Sequence, residues 1–187
     1  MEPITLNWKG PYSLEVAAGR KAFDPPPKSG VYLWCVGKPE VHRLAYVGEA
    51  ENIRERLYQH LYSLLGGHYG LFENDHLLKG LKPVEVYEGN GNLENLVQKF
   101  VGEFERYSAL ALHNVTSYRF FWAVLENEPK SRRRAVESAL IKRGLDRQEP
   151  LQNRRLSRRA EAVRIISTFE AGVDLPALRE EINCPEL

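Results

Sequence analysis

Gly30-Val31-Tyr32-Leu33-Trp34-Cys35-Val36, then Gly37-Lys38-Pro39-Glu40, then His42-Arg43-Leu44-Ala45-Tyr46-Val47-Gly48, is the stretch on which the fold reading turns. Both flanking runs are rich in β-branched and aromatic residues, and the four residues between them carry turn chemistry. The pattern predicts a β-hairpin with a loop longer than two residues. Cys35, inside the first run, reads as a small buried hydrophobe. The other cysteine, Cys184, is far away in sequence, and with no Cys-x-x-Cys pair neither a disulfide framework nor a structural zinc site is suggested.

Moving outward, Asn52 is placed to cap a helix in which Ile53, Leu57, Leu61, Leu64 and Leu65 recur at three- and four-residue spacings, and Gly66-Gly67 stops it. Upstream, Asp24-Pro25-Pro26-Pro27-Lys28-Ser29-Gly30 cannot continue a helix or a central strand, so residues 1–28 read as an N-terminal extension. From His68 to Asn92 only Val84 to Tyr87 alternates as a strand does, and no catalytic group is placed there. Leu93, Leu96, Val97, Phe100, Val101, Phe104 and Tyr107 trace an amphipathic helix, and Tyr118 to Leu125 a third strand. Ser131 is a candidate cap for a helix ending at Gly144, and Val163, Ile166 and Phe169 suggest a last helix from about Ser157 to Ala171.

Length and composition agree with one domain: 187 residues, 43% hydrophobic and 27% charged, values that exclude disordered and fibrous classes. With no apolar run of membrane-span or signal-peptide length, a cytoplasmic location is expected. The net charge of +1 conceals a block: residues 130–164 hold 12 Lys/Arg against 4 Asp/Glu, a local +8 that leaves −7 for the remainder. Such a block is either a solvated helix face or a surface that tracks a phosphate backbone.

Four side chains around the hairpin carry chemistry. Tyr32 and Tyr46 fall on neighbouring strands, while Arg56 and His60, four apart, point from one face of the following helix. Two phenols, a guanidinium and an imidazole can thus converge on a phosphate. Arg54 reads as the solvated neighbour. Further on, Glu137 lies at the margin of the buried stripe formed by Val136, Ala139 and Leu140, where a carboxylate can face a cleft.

Gly30-Val31-Tyr32, Tyr46-Val47-Gly48, the helix with Arg56 and His60, Glu137-Ser138-Ala139-Leu140-Ile141, and Pro150-Leu151-Gln152-Asn153 follow one another in an order that resembles the GIY-YIG nuclease superfamily. The resemblance spans about residues 29–153 and is interrupted by an insertion at about 66–112. Valine stands for isoleucine at Val31 and Val47, and Glu49 occupies a position that is often basic or small and polar. What the resemblance implies is an α/β fold: a small, mostly antiparallel three-stranded sheet flanked by helices, with a helical insertion and a basic helical C-terminal extension over 154–187.

The function implied is metal-dependent hydrolysis of phosphodiester bonds, most readily in DNA. Tyr32 would orient or deprotonate the attacking water, with Tyr46 as positioner. Arg56 and His60 would neutralise the phosphate, and Glu137 would hold one Mg2+ or Mn2+ ion, since magnesium often takes only one or two carboxylates. Gly30, Gly48 and Asn153 would be structural or hydrogen-bonding supports. Arg132, Arg133, Arg134, Arg154, Arg155, Arg158 and Arg159 would line the nucleic-acid path, with no membrane partner. The competing readings are a non-catalytic nucleic-acid-binding module of the same fold and a nuclease that acts on RNA.

Overall fold

The computed structural model describes residues 2–14, 21–38, 41–73, 75–76, 79, 81–89, 92–153, 161–170 and 175–185. In chain order the elements are β1 (Ile4–Ser13), β2 (Lys21–Ala22), β3 (Gly30–Lys38), β4 (Val41–Ala50), α1 (Ile53–Leu65), β5 (Leu71–Phe72) and β6 (Glu85–Tyr87). They continue with α2 (Leu93–Gly102), α3 (Phe104–Ser117), β7 (Arg119–Val124), α4 (Lys130–Asp146), β8 (Val163–Phe169), a 3-10 turn at Pro176–Leu178 and β9 (Ile182–Cys184).

Among the described residues the main sheet runs β4-β3-β7-β1-β8-β9, with β2 joined to β1, and β5 and β6 form a separate pair. This corrects the expected three-stranded sheet. The strands read at Val31, His42 and Tyr118 are adjacent and antiparallel, Tyr32 facing Gly48 on one side and Trp122 on the other. The sheet then continues through two segments read as extensions. In β1 Ile4, Leu6 and Trp8 are buried while Thr5, Asn7 and Lys9 are exposed, the period of a strand with one face on a core.

The helix expected at about Ser157 to Ala171 is corrected as well, because residues 163–169 are β8, paired in parallel with β1 from Ile4↔Ile165 to Trp8↔Phe169. The three-residue spacing of Val163, Ile166 and Phe169 suits a helix, but five of the seven residues in Val-Arg-Ile-Ile-Ser-Thr-Phe are β-branched or aromatic. Partnership with β1 decides the matter, and Val163 and Ile165, two apart, are the residues that reach the core. Residues 157–160 and 171 of the expected helix lie outside the described residues, and among the described ones the C-terminal extension contributes two strands and a 3-10 turn.

Two cores lie on the two faces of the sheet. Val31, Leu33 and Cys35 face α4 through Ala135, Val136, Ala139 and Leu140. Tyr32, Trp34 and Val36 face α1 and the insertion through Leu57, Leu61, Leu64, Leu71, Tyr87 and Phe100. Burial on both faces is why β3 reads as a continuous apolar run instead of an alternating one. Asn52 caps α1, its side chain accepting from the Glu55 N–H. The helix read at 93–107 is two: α2 ends at Gly102 and α3 starts at Phe104, with Leu96, Phe100 and Tyr107 buried but Val97, Val101 and Phe104 exposed. α4 starts directly after Pro129, with no side-chain cap, and Ser131 lies inside its first turn.

β4 is the edge strand, and the chain after α4 covers it. The Leu44 N–H donates to the Glu149 carboxylate at 3.0 Å, the Gln152 N–H donates to the Ala45 carbonyl at 2.7 Å, and the Asn153 amide meets both backbone groups of Val47. An edge left open would be a template for unwanted pairing. Covering it also carries Gln152 and Asn153 to the mouth of a cavity.

Candidate active site

That cavity, about 390 Å³, is lined by Trp34 and Tyr46 from the hairpin, Arg56, His60 and Leu64 from α1, Tyr69, Gly70 and Phe72 from the insertion, Glu137 from α4, and Gln152 and Asn153. Four residues singled out in the sequence, Tyr46, Arg56, His60 and Glu137, meet there. The fifth, Tyr32, stands behind them: its side chain is 1% exposed, and its hydroxyl lies 2.7 Å from His60 Nε2.

Two glycines make room for this arrangement. A Cβ at Gly48 would sit 2.3 Å from the Tyr32 hydroxyl oxygen, so Gly48 is the floor on which that phenol rests. A Cβ at Gly30 would meet the Ala123 carbonyl oxygen at 2.2 Å, which would force β3 away from β7. Asn153 Oδ1 accepts from the Val47 N–H at 2.9 Å and its Nδ2 donates to the Val47 carbonyl at 2.8 Å, which makes it a structural clip between Tyr46 and Gly48.

Burial sets the protonation states. It pushes His60 down to about 3, helped by the positive charge of Arg56, so the imidazole is neutral at physiological pH and adds no cation for a phosphate. Burial likewise raises both phenols. Tyr32 is held well above the usual tyrosine range, with the Tyr46 charge adding to the rise. Tyr46 is raised by burial and by the Glu137 charge, against the pull of the Arg56 guanidinium and a hydrogen bond from Tyr32. Of the two phenols, Tyr46 is the one that lines the cavity.

Glu137 is pushed up to about 7 by burial and then by the adjacent Glu49 carboxylate, against the pull of the Glu49 backbone N–H, Arg134 and Arg56. A carboxyl paired with a like charge in a cleft is a hard oxygen donor whose ionised form a cation would favour. Among the described residues no three or more His, Cys, Asp or Glu side chains group to hold a metal, so an ion would rest on one or two carboxylates. That donor chemistry fits magnesium or manganese completed by water and substrate oxygens.

The arginine triplet is differently disposed from the expected phosphate path. Arg133 is 5% exposed, donates to the Glu128 carbonyl at 2.8 Å, and lies 3.4 Å from the Glu49 carboxylate. It is an internal strut between α4 and the end of β4, not a surface contact for nucleic acid. Arg132 is half-buried near Glu128 and the Glu2 carbonyl, and Arg134 is exposed but 3.5 Å from Glu49. Glu49, out of pattern in the resemblance, is thus the anion that anchors Arg133 and Arg134. Arg154, Arg155, Arg158 and Arg159 lie outside the described residues. Arg54 is tied to the Pro25 carbonyl and Asp24.

Tyr69, Gly70 and Phe72 were beyond the sequence reading. Their only signal is two aromatics, Tyr69 and Phe72, within five residues of the Gly66-Gly67 stop, and nothing local tells that the chain turns back over the hairpin. Among the described residues no helix is long and apolar enough to cross a membrane. Compared with protein-family models, with curated proteins and with solved structures, the chain finds no match.

Proposed function

We propose that this chain is a divalent-metal-dependent nuclease of the GIY-YIG type that hydrolyses phosphodiester bonds, with DNA as substrate. The observation that carries the proposal is the convergence of a phenol, a guanidinium, a neutral imidazole and a carboxyl from β4, α1 and α4 on one open cavity. Those groups are what hydrolysis of a phosphodiester needs: a proton acceptor, a charge clamp and an oxygen donor for a hard cation.

In this reading Arg56 holds the phosphate, its planar fork suited to two phosphate oxygens. Its charge also lowers the pKa of Tyr46, Tyr32 and Glu137, so a single side chain both binds substrate and favours the ionised state of the groups around it. Tyr46 orients the attacking water and accepts its proton. Tyr32, hydrogen-bonded to neutral His60, supports the Tyr46 phenolate from behind. Glu137 would hold the ion, which when bound supplies Lewis-acid stabilisation of charge on the phosphoryl oxygens.

The test is a cleavage panel on single-stranded, duplex and branched DNA and on RNA, with magnesium, manganese or EDTA. Metal-dependent cleavage is expected with wild type and none with a folded Glu137→Gln, which should still bind DNA. Cleavage by Glu137→Gln at the wild-type rate would remove the carboxyl from the mechanism. Binding without cleavage by wild type under every condition would establish the non-catalytic module instead.

A further inference from the structure

The cavity contains more than a phosphate requires. At one end are Arg56, Glu137 and the Tyr46 phenol. Besides His60, Gly70, Gln152 and Asn153, the lining has an apolar stretch of Trp34, Leu64, Tyr69 and Phe72, three of them aromatic and two brought from the insertion. A sugar–phosphate backbone is held by cations and hydrogen-bond donors, and an apolar aromatic wall offers it nothing. A nucleobase has a π-face that stacks on such rings whatever its identity. At about 390 Å³ the space is within the range of sites that enclose a small ligand.

The Gln152 amide is hydrogen-bonded to the Tyr118 hydroxyl at 3.0 Å and the Asn153 amide to Val47, which fixes the orientation of both at the cavity. Trp34 and His60 are each 3% exposed, so Tyr69 and Phe72, both half-buried, are the rings that a base can reach.

Resting on the nuclease reading above, we propose that the aromatic wall receives the base of the nucleotide beside the cleaved phosphate, unstacked from its neighbours, so that the substrate is unpaired at the cut. A base in a duplex must be unstacked and unpaired to enter, whereas in a single strand, bubble or flap the pairing cost is already absent.

The experiment uses the full chain. Wild-type protein is given one sequence as a single strand, as a blunt duplex and as a duplex with an unpaired bubble. Glu137→Gln protein is titrated with the single strand carrying 2-aminopurine, whose fluorescence reports unstacking. Expected are cleavage of single strand and bubble at least about tenfold faster than duplex, and a fluorescence change on binding. Tyr69→Leu should weaken single-strand binding by about tenfold, within the range of one stacked base, without altering the salt slope set by phosphate contacts. Tyr69→Phe should rescue it, which separates stacking from misfolding.

Equal cleavage of duplex and single strand with a neutral Tyr69→Leu would overturn the base pocket and leave the nuclease reading standing. If wild type cleaves nothing, the nuclease reading fails, and the fluorescence titration still decides the pocket: no change on binding overturns it, and a change that Tyr69→Leu abolishes supports it.

Discussion

Asn153 and Asn114 perform one task on opposite walls of the cavity. Each uses its amide to take both backbone groups of a single residue: Asn153 those of Val47, and Asn114 those of Phe72, at 3.0 Å for the N–H and 2.8 Å for the carbonyl. Each stands in for a missing neighbouring strand. The walls they hold differ, however. The Val47 wall carries the titratable groups, with His60, Tyr46 and Glu137 all displaced from their ordinary pKa values. The Phe72 wall adds Tyr69 and Phe72 from the insertion to Trp34 of β3 and Leu64 of α1. The insertion thus completes the shape of a cavity whose titratable groups come from elsewhere, and each side is clipped in place by an amide that does not titrate.

The sharpest way to break this comparison is acid. His60 is near 3 in the folded protein against about 6.5 unfolded, so the unfolded chain binds the proton first, and stability present above pH 6.5 is lost as pH falls toward 3. The effect is on the order of 4 kcal/mol. Glu137, raised to about 7, gains stability on protonation over the same range and opposes this loss. Urea denaturation from pH 7 to 4 is therefore done in a Glu137→Gln background, where the loss should appear and adding His60→Gln should flatten the profile. A slope retained in the variant would assign it to other groups.

Next in size is the pair of tyrosines. Tyr46→Phe removes the hydroxyl at the cavity and should lower kcat by about a hundredfold or more, as expected of a positioned proton-transfer group. Tyr32→Phe should lose about tenfold. Single-turnover cleavage measures both, and the opposite ranking would return Tyr32 to the role read from the sequence.

The smallest effects sharpen the comparison of the clips themselves. Asn114→Ala strands two backbone groups behind a side chain that is fully buried, at about 1–3 kcal/mol for each group that water cannot reach. Asn153→Ala, half-buried at the cavity mouth, should cost less stability but more kcat, since Val47 adjoins Tyr46. Thermal denaturation and cleavage rates together distinguish the two. Equal losses in both measurements would mean that the walls are not separate.

The hairpin, α1 with its Asn52 cap, and the set Tyr46, Arg56, His60 and Glu137 were legible because their signals are local: turn chemistry, helical periodicity, and residue types in a fixed order. Other features were not. The alternation of Ile4, Leu6 and Trp8 is as regular as that of any strand here, but its partner β8 lies about 160 residues away, and the β8 run is strand-like or helical until β1 is beside it. Arg133 has the composition of a phosphate ligand and becomes a strut only because Glu49 is folded against it.

By itself, then, the sequence determined which side chains are available and on which local elements they ride, because periodicity and capping act over a few residues. Only the tertiary structure decided which phenol faces the cavity, that His60 is neutral, and that Tyr69 and Phe72 complete the wall. Burial and packing across the sheet depend on contacts between distant segments, and they outweigh what any one segment prefers alone.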